Sequence, residues 1–238
     1  DCDACRYQFS VTSGTVFHDT KLPLWKWVLG VYMIVESKKG ISAAQLSRTL
    51  DVQYRTAWHL SHRIRHALQT PIALLAGVVE IDETMVGGKM QRKGGKTGRE
   101  NKTWIVGAVE RDGEIRLRAI DKRDRKTLRQ FIEENVCPSA DRIITDDAPV
   151  YQSIGRRYLD TDRATINHSR DEWVVGDVHT NTIEGAWSLF KRSLVGAFHK
   201  VSAKHLDRYL DEFEFRFNNR NNPYIFRDAL RLLVQAGN

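Results

Sequence analysis

"GVVEIDETMVGG", residues 77 to 88, is the stretch on which the reading of this chain turns. Val78, Val79, Ile81 and Val86 are β-branched, and side chains of that kind favour extended backbone. A short apolar run bounded by glycine is the pattern of a buried strand. Asp82 follows "VVEI" and is expected to end that strand, with Glu83 and Thr84 beside it. An acid at a strand end is usually a turn former, so Asp82 gains meaning only from what surrounds it.

Two more strands follow, "TWIVGAVE" (103–110) and "EIRLRAID" (114–121). Asp112-Gly113 between them is a strong hairpin signal. "KTLRQFIEENV" (126–136) reads as an amphipathic helix, and "DRIITD" (141–146) as a strand entering a turn and helix at "DAPVYQSIG" (147–155). "DRATINHS" (162–169) is another strand, and "NTIEGAWSLFKR" (181–192) and "SAKHLDRYLDEFEFRFNNR" (202–220) are late helices. Three hairpin-linked strands, then helix, strand, helix, strand and helix predict an α/β fold. Its expected form is the ribonuclease H-like mixed sheet with flanking helices.

In that topology the first and fourth strands are parallel neighbours. Asp82 and Asp146 then meet at one rim, and Asp146 is preferred to Asp147 because it directly ends its strand. Glu184, in the first turn of the late helix, can reach over the same edge. Three converging anions are costly without cations. Oxygen ligands with open positions suit Mg²⁺ or Mn²⁺. Two such ions about 4 Å apart activate a hydroxyl and stabilise the leaving oxygen of a phosphodiester.

Upstream, residues 20–72 read as helical. "LPLWKWVLGVYMIVESKKG" (22–40) has a proline near its start and Gly40 as a stop. Ser42 is expected to cap a short helix through Leu50, with a tight break at Asp51-Val52 and a longer helix over 53–68. This is the helix-turn-helix layout, and it places Tyr54, Arg55, Thr56 and His59 where DNA would be met. His59, His62 and His66 are expected on a solvated basic face with Arg55, Arg63 and Arg65 rather than in a metal site. Residues 87–103 form a glycine-rich loop whose Lys89, Arg92, Lys93 and Lys96 can follow a phosphate backbone.

Composition limits the function classes. The chain has 238 residues, 41% hydrophobic and 28% charged, which suits a soluble globular protein. Its net charge of +7 suggests a polyanionic partner. No run approaches the ~18 apolar residues of a membrane helix, and no signal peptide is read, so the expected location is the cytoplasm. Cys2 and Cys5 form a C-x-x-C resembling half of a zinc ribbon. Two thiolates do not close a tetrahedral site, so no bound zinc is expected.

The blocks "EIDETMVGGK", "ITDDAPVY" and "HTNTIEGAWSLFKRSLVGAFHKVSAKHLDRYLDEFEFRFNNR" together resemble the IS1595-type (ISXO2-like) transposases of bacterial insertion sequences. The resemblance runs over nearly the whole chain. It implies a DDE-type enzyme with a ribonuclease H-like core and a bacterial, nucleoid-associated setting. It implies that Asp82, Asp146 and Glu184 are the catalytic, metal-holding acids. Lys191, seven residues after Glu184, would contact DNA near the cleaved end. His179 and Asn181 would be supporting or end-binding groups, with Asn181 read as the helix cap. The implied organisation is a partial zinc-ribbon remnant and linker over 1–19, a DNA-binding helical region over 20–72 and a catalytic domain over 77–238. The implied partners are double-stranded DNA and a second copy of the chain, as a homodimer or higher assembly. The rival readings are a ribonuclease H-like nuclease without strand transfer and a non-catalytic DNA-binding remnant.

Overall fold

The computed structural model describes residues 2–6, 10–69, 73–87, 102–146, 149–151, 162–166 and 179–236. By its internal contacts the chain divides into two units, Asp1–Thr70 with Asp211–Asn238, and Pro71–Leu210. The residues from Asp211 onward group with the N-terminal helices.

The sheet unit is built on β1 (Val78–Gly87), β2 (Lys102–Glu110), β3 (Ile115–Ile120), β4 (Arg142–Asp146) and β5 (Asp162–Ile166). They form one sheet in the order β3-β2-β1-β4-β5. β1 is antiparallel to β2 and parallel to β4, and β4 is parallel to β5. Three antiparallel strands continued by parallel ones make the mixed sheet of the ribonuclease H-like fold. The β2–β3 hairpin turns where expected, with Asp112 at φ 59° and the Gly113 amide donating to the Glu110 carbonyl at 3.0 Å.

Side chains alternate across a strand, so β1 presents two faces. Val79 and Ile81 join Val106, Ile143 and the α4 (Arg125–Asn135) residues Leu128, Phe131 and Ile132 in a buried cluster. Asp124 caps α4 by accepting from the Thr127 amide at 2.9 Å. Glu80 and Asp82 point to the other face, where α5 (Asn181–Ser193) lies. β1 does not stop at Asp82 but runs on to Gly87, because pairing with β2 continues from Val79↔Glu110 to Gly87↔Lys102. Asp146 does end β4.

The helical unit holds α1 (Leu24–Val35), α2 (Ala43–Leu50), α3 (Tyr54–Ala67) and α7 (Ile225–Gln235). Helix α6 (Leu206–Asn218) crosses the division, with residues from Asp211 onward in this unit. Ser42 caps α2, accepting from the Gln45 amide at 3.1 Å, and Asp51 makes the break in the left-handed region at φ 46°. Gly30 lets α1 approach α3; a Cβ there would stand 2.9 Å from the Leu60 side chain. Helix α7 was not read from the sequence, yet it supplies Ile225, Ala229 and Leu233 to the core.

Two expectations about this unit are corrected. His62 and Arg65 are buried, not solvated, while His59 and His66 are exposed. The His62 ring lies against Trp58 with centroids 4.1 Å apart. Arg65 is taken by Glu212, its Nε 2.6 Å from the carboxylate. Arg216 is also buried and pairs with the same Glu212 at 3.0 Å.

Candidate acidic site at the sheet rim

The parallel register of β1 and β4 pairs Glu80 with Ile144. Two residues further along each strand stand Asp82 and Asp146, so the two sequence-predicted acids are neighbours at one rim. Burial is the largest cause raising the Asp82 pKa, to about 6, with the charges of Glu83 and Asp146 pushing the same way. A hydrogen bond from the Glu83 backbone opposes this most, followed by the Trp187 indole, which donates to Asp82 Oδ2 at 3.0 Å. Among the described residues no cation pairs with Asp82.

Gly107 is what admits that indole. It stands opposite Asp82 in the β1–β2 register, and a Cβ there would lie 2.7 Å from Trp187 Cη2. A glycine inside a strand marks such a close approach.

On the other face of β1, Glu83 meets Arg123, whose Nε is 3.1 Å from its carboxylate. Arg123 also stands 3.7 Å from Asp146 and lies over the Trp104 ring. Burial raises the Glu83 pKa against the pull of Arg123. Burial raises the Tyr151 hydroxyl as well, reinforced by the Glu83 charge. Arg123 therefore ties Glu83 to Asp146 and leaves Asp82 to the α5 face.

Helix α5 is fastened at its start by Glu80, which has no exposed surface. Glu80 accepts from the Thr182 amide at 2.9 Å, the Ile183 amide at 3.0 Å and the Thr182 hydroxyl at 3.0 Å. Arg111 Nε supplies the countercharge at 2.8 Å. Arg111 also donates to the His179 carbonyl at 2.9 Å and lies 3.1 Å from His179 Nδ1. His179, expected as a supporting group, thus belongs to this bracket. Asn181 is exposed and is the first residue of α5; the cap position falls to Thr180.

Glu184 lies in the first turn of α5 and is exposed, with Oε1 accepting from the Thr180 hydroxyl at 2.9 Å. Trp187 and Lys191 follow it at helical spacing, and Lys191 is exposed. Among the described residues no three His, Cys, Asp or Glu side chains stand close enough to hold one ion. The structure brings Asp82 and Asp146 together and leaves Glu184 outside that pair. An oxygen-only donor set in which the raised acid, Asp82, meets no described cation fits a hard divalent ion at Asp82 and Asp146. Glu184 is placed on the helix that Asp82 itself contacts through Trp187.

Tyr54 and Arg55 are exposed at the start of α3. Lys89, Arg92, Lys93 and Lys96 lie outside the described residues, as do Asp147 and the segment 152–161. Cys2 and Cys5 share one turn, in which hydrogen bonds from Cys5 lower the Cys2 pKa. Glu80, Arg111, Arg123, Thr180 and Trp187 were missed by sequence reasoning. A charged residue in an apolar strand two places before Asp82, and a lone glycine in β2, were the available signals.

A mixed sheet of this order with flanking helices defines a ribonuclease H-like domain. The chain belongs to the ISXO2-like transposases, whose transposase domain matches residues 74–218. It is 33% identical over 264 residues to an uncharacterized protein in transposable element ISH50 of Halobacterium salinarum, covering 99% of this chain and 83% of that one. Among solved structures it is similar to a pre-cleavage Mos1 transpososome, with 13% identity, TM-score 0.35, and 89% of this chain and 79% of that one covered. It is also similar to the HTLV-2 integrase catalytic core domain in complex with magnesium, with 15% identity, TM-score 0.32, and 59% of this chain and 86% of that one covered. Among the described residues no helix is long and apolar enough to cross a membrane.

Proposed function

We propose that this transposase-family chain cleaves the ends of an insertion element and joins the exposed 3′-hydroxyls to target DNA. Asp82, Asp146 and Glu184 would be the catalytic acids and would hold Mg²⁺ or Mn²⁺. The observation that carries this reading is the Asp82–Asp146 pair, in which Asp82 meets no cation among the described residues and is held at a raised pKa of about 6. A buried acid with a raised pKa beside a second acid is a functional-site candidate. Divalent ions bound there would activate the attacking hydroxyl and stabilise the leaving oxygen of the phosphodiester.

The chain's own groups do the rest. Trp187 fixes which Asp82 oxygen faces the rim. Lys191, exposed on the same helix, would take a phosphate of the element end. Tyr54 and Arg55 on α3 would meet DNA within a binding region over residues 20–72. Lys89, Arg92, Lys93 and Lys96 would follow the backbone beside a catalytic domain beginning at residue 77. The +7 net charge supports a DNA partner. Two ends must be held at once, so a homodimer or higher assembly on double-stranded DNA is proposed, in the bacterial cytoplasm.

The test uses the full chain, Mg²⁺, a supercoiled target and duplexes carrying the element's terminal sequences. Asp82→Ala and Glu184→Ala are expected to abolish cleavage and joining; full activity in either refutes the assignment. Precleaved ends separate the rival enzyme reading, since a nuclease without strand transfer leaves them unjoined.

A further inference from the structure

Helix α5 begins in an unusual way. The first amides of a helix need acceptors, and a threonine at the cap position ordinarily supplies one. Thr180 occupies that position and is buried, yet its side chain accepts from no helix amide. Its hydroxyl donates instead to Glu184 Oε1 at 2.9 Å. The amides it would have served are taken by Glu80 from the sheet, which accepts from Thr182 and Ile183 at 2.9 and 3.0 Å. Burying a carboxylate for that purpose is costly, and the chain supplies Arg111 at 2.8 Å to offset it. A local cap would have closed the helix end at far lower cost.

We infer that Glu80 and Thr180 are positioning residues for the third acid: Glu80 replaces the helix cap so that the Thr180 hydroxyl is free to orient Glu184. The inference rests on the reading of Glu184 as a metal-holding acid. A donor that fixes one oxygen of a ligating carboxylate leaves the other oriented outward. Loss of such a partner typically costs about 10–100-fold in metal affinity or activity. Glu80 and Asp82 share one face of β1, so the same strand that carries the first acid sets the height and direction of the helix carrying the third.

The test compares the full-length parent with Thr180→Val, Thr180→Ser and Glu80→Gln. Mn²⁺ uptake is followed by the loss of the free-ion electron paramagnetic resonance signal, joining with precleaved ends, and unfolding by heat. Thr180→Val is isosteric and removes no cap bond. It is expected to unfold at the parent's temperature while binding Mn²⁺ about tenfold more weakly. Thr180→Ser restores the hydroxyl and the affinity. Glu80→Gln weakens Mn²⁺ binding in the same direction. Parent-like or tighter Mn²⁺ binding by Thr180→Val overturns the inference. So does a Thr180→Val chain that fails to fold, because the hydroxyl would then be serving the helix itself. If the parent takes up no Mn²⁺, or Asp82→Asn takes up as much as the parent, the metal reading fails instead. A parent that binds beside a Thr180→Val variant that binds equally sinks only the positioning role.

Discussion

Each unit of this molecule buries acidic charge, and the two treat it in opposite ways. In the helical unit Glu212 has no exposed surface and is gripped from both sides, by Arg65 at 2.6 Å and Arg216 at 3.0 Å. Arg216 in turn donates to the Ser37 and Lys38 carbonyls just beyond α1, and Arg65 to the Ser61 hydroxyl. At the sheet rim Asp82 is largely removed from water, has acids as neighbours and is met by neutral donors, the Glu83 backbone amide and the Trp187 indole. The same contrast recurs within β1, where Arg111 neutralises Glu80 while, among the described residues, no cation pairs with Asp82 two residues on. The fold thus sets guanidinium groups against Glu212 and Glu80. That no described cation pairs with Asp82 supports the proposal that a cation from outside the chain binds there.

The largest effect expected from breaking the contrast is at Asp82. Asp82→Asn should lower end joining by on the order of 10³-fold, the consequence of losing several kcal/mol of transition-state stabilisation. The same change should stabilise the metal-free protein at neutral pH. Asp82 carries a folded pKa of about 6 against an ordinary 3.8. An acid raised in this way adds stability that is complete below the unfolded value and is lost as pH rises through the folded one. At pH 7 the ionised parent is therefore penalised by roughly 1–3 kcal/mol, which the amide removes. Thermal unfolding at pH 7 and pH 4 checks this: the gap between variant and parent should be wide at pH 7 and nearly closed at pH 4.

At Glu212 the sign reverses. Glu212→Ala leaves two buried guanidinium groups facing each other and should cost about 3–5 kcal/mol of stability, seen in urea unfolding. A loss below about 1 kcal/mol would mean that the pairing is not what holds α3 to α6. Trp187→Phe keeps a ring over Gly107 but removes the donor to Asp82. A hydrogen bond to a charged group is worth about 1.5–3 kcal/mol, so joining should fall by about 10–100-fold with the fold retained. Unchanged rates would show that the indole only packs. The smallest effect is expected at Lys191→Ala, which touches no buried group. DNA binding measured across a salt series should lose about one unit of slope if Lys191 neutralises one phosphate.

Much of the fold was legible because its signals are local. β-branched runs, the Asp112-Gly113 turn and the cap at Ser42 act over a few residues and were placed within one or two positions. The adjacency of Asp82 and Asp146 followed from strand order alone. The extent of β1 was misjudged because its end depends on pairing with β2 and not on the acid within it. The burial of His62 and Arg65 was missed because helical spacing shows which residues share a face, not what covers it. Glu80 and Thr180 escaped notice for the same reason. Their partners lie about a hundred residues off or are defined by which hydroxyl a helix leaves uncapped.

The most direct test is crystallographic. Crystals soaked in Mn²⁺ should give an anomalous scattering peak flanked by the carboxylates of Asp82 and Asp146, on the side that α5 and Glu184 approach. A peak elsewhere with none between those two acids would contradict the account.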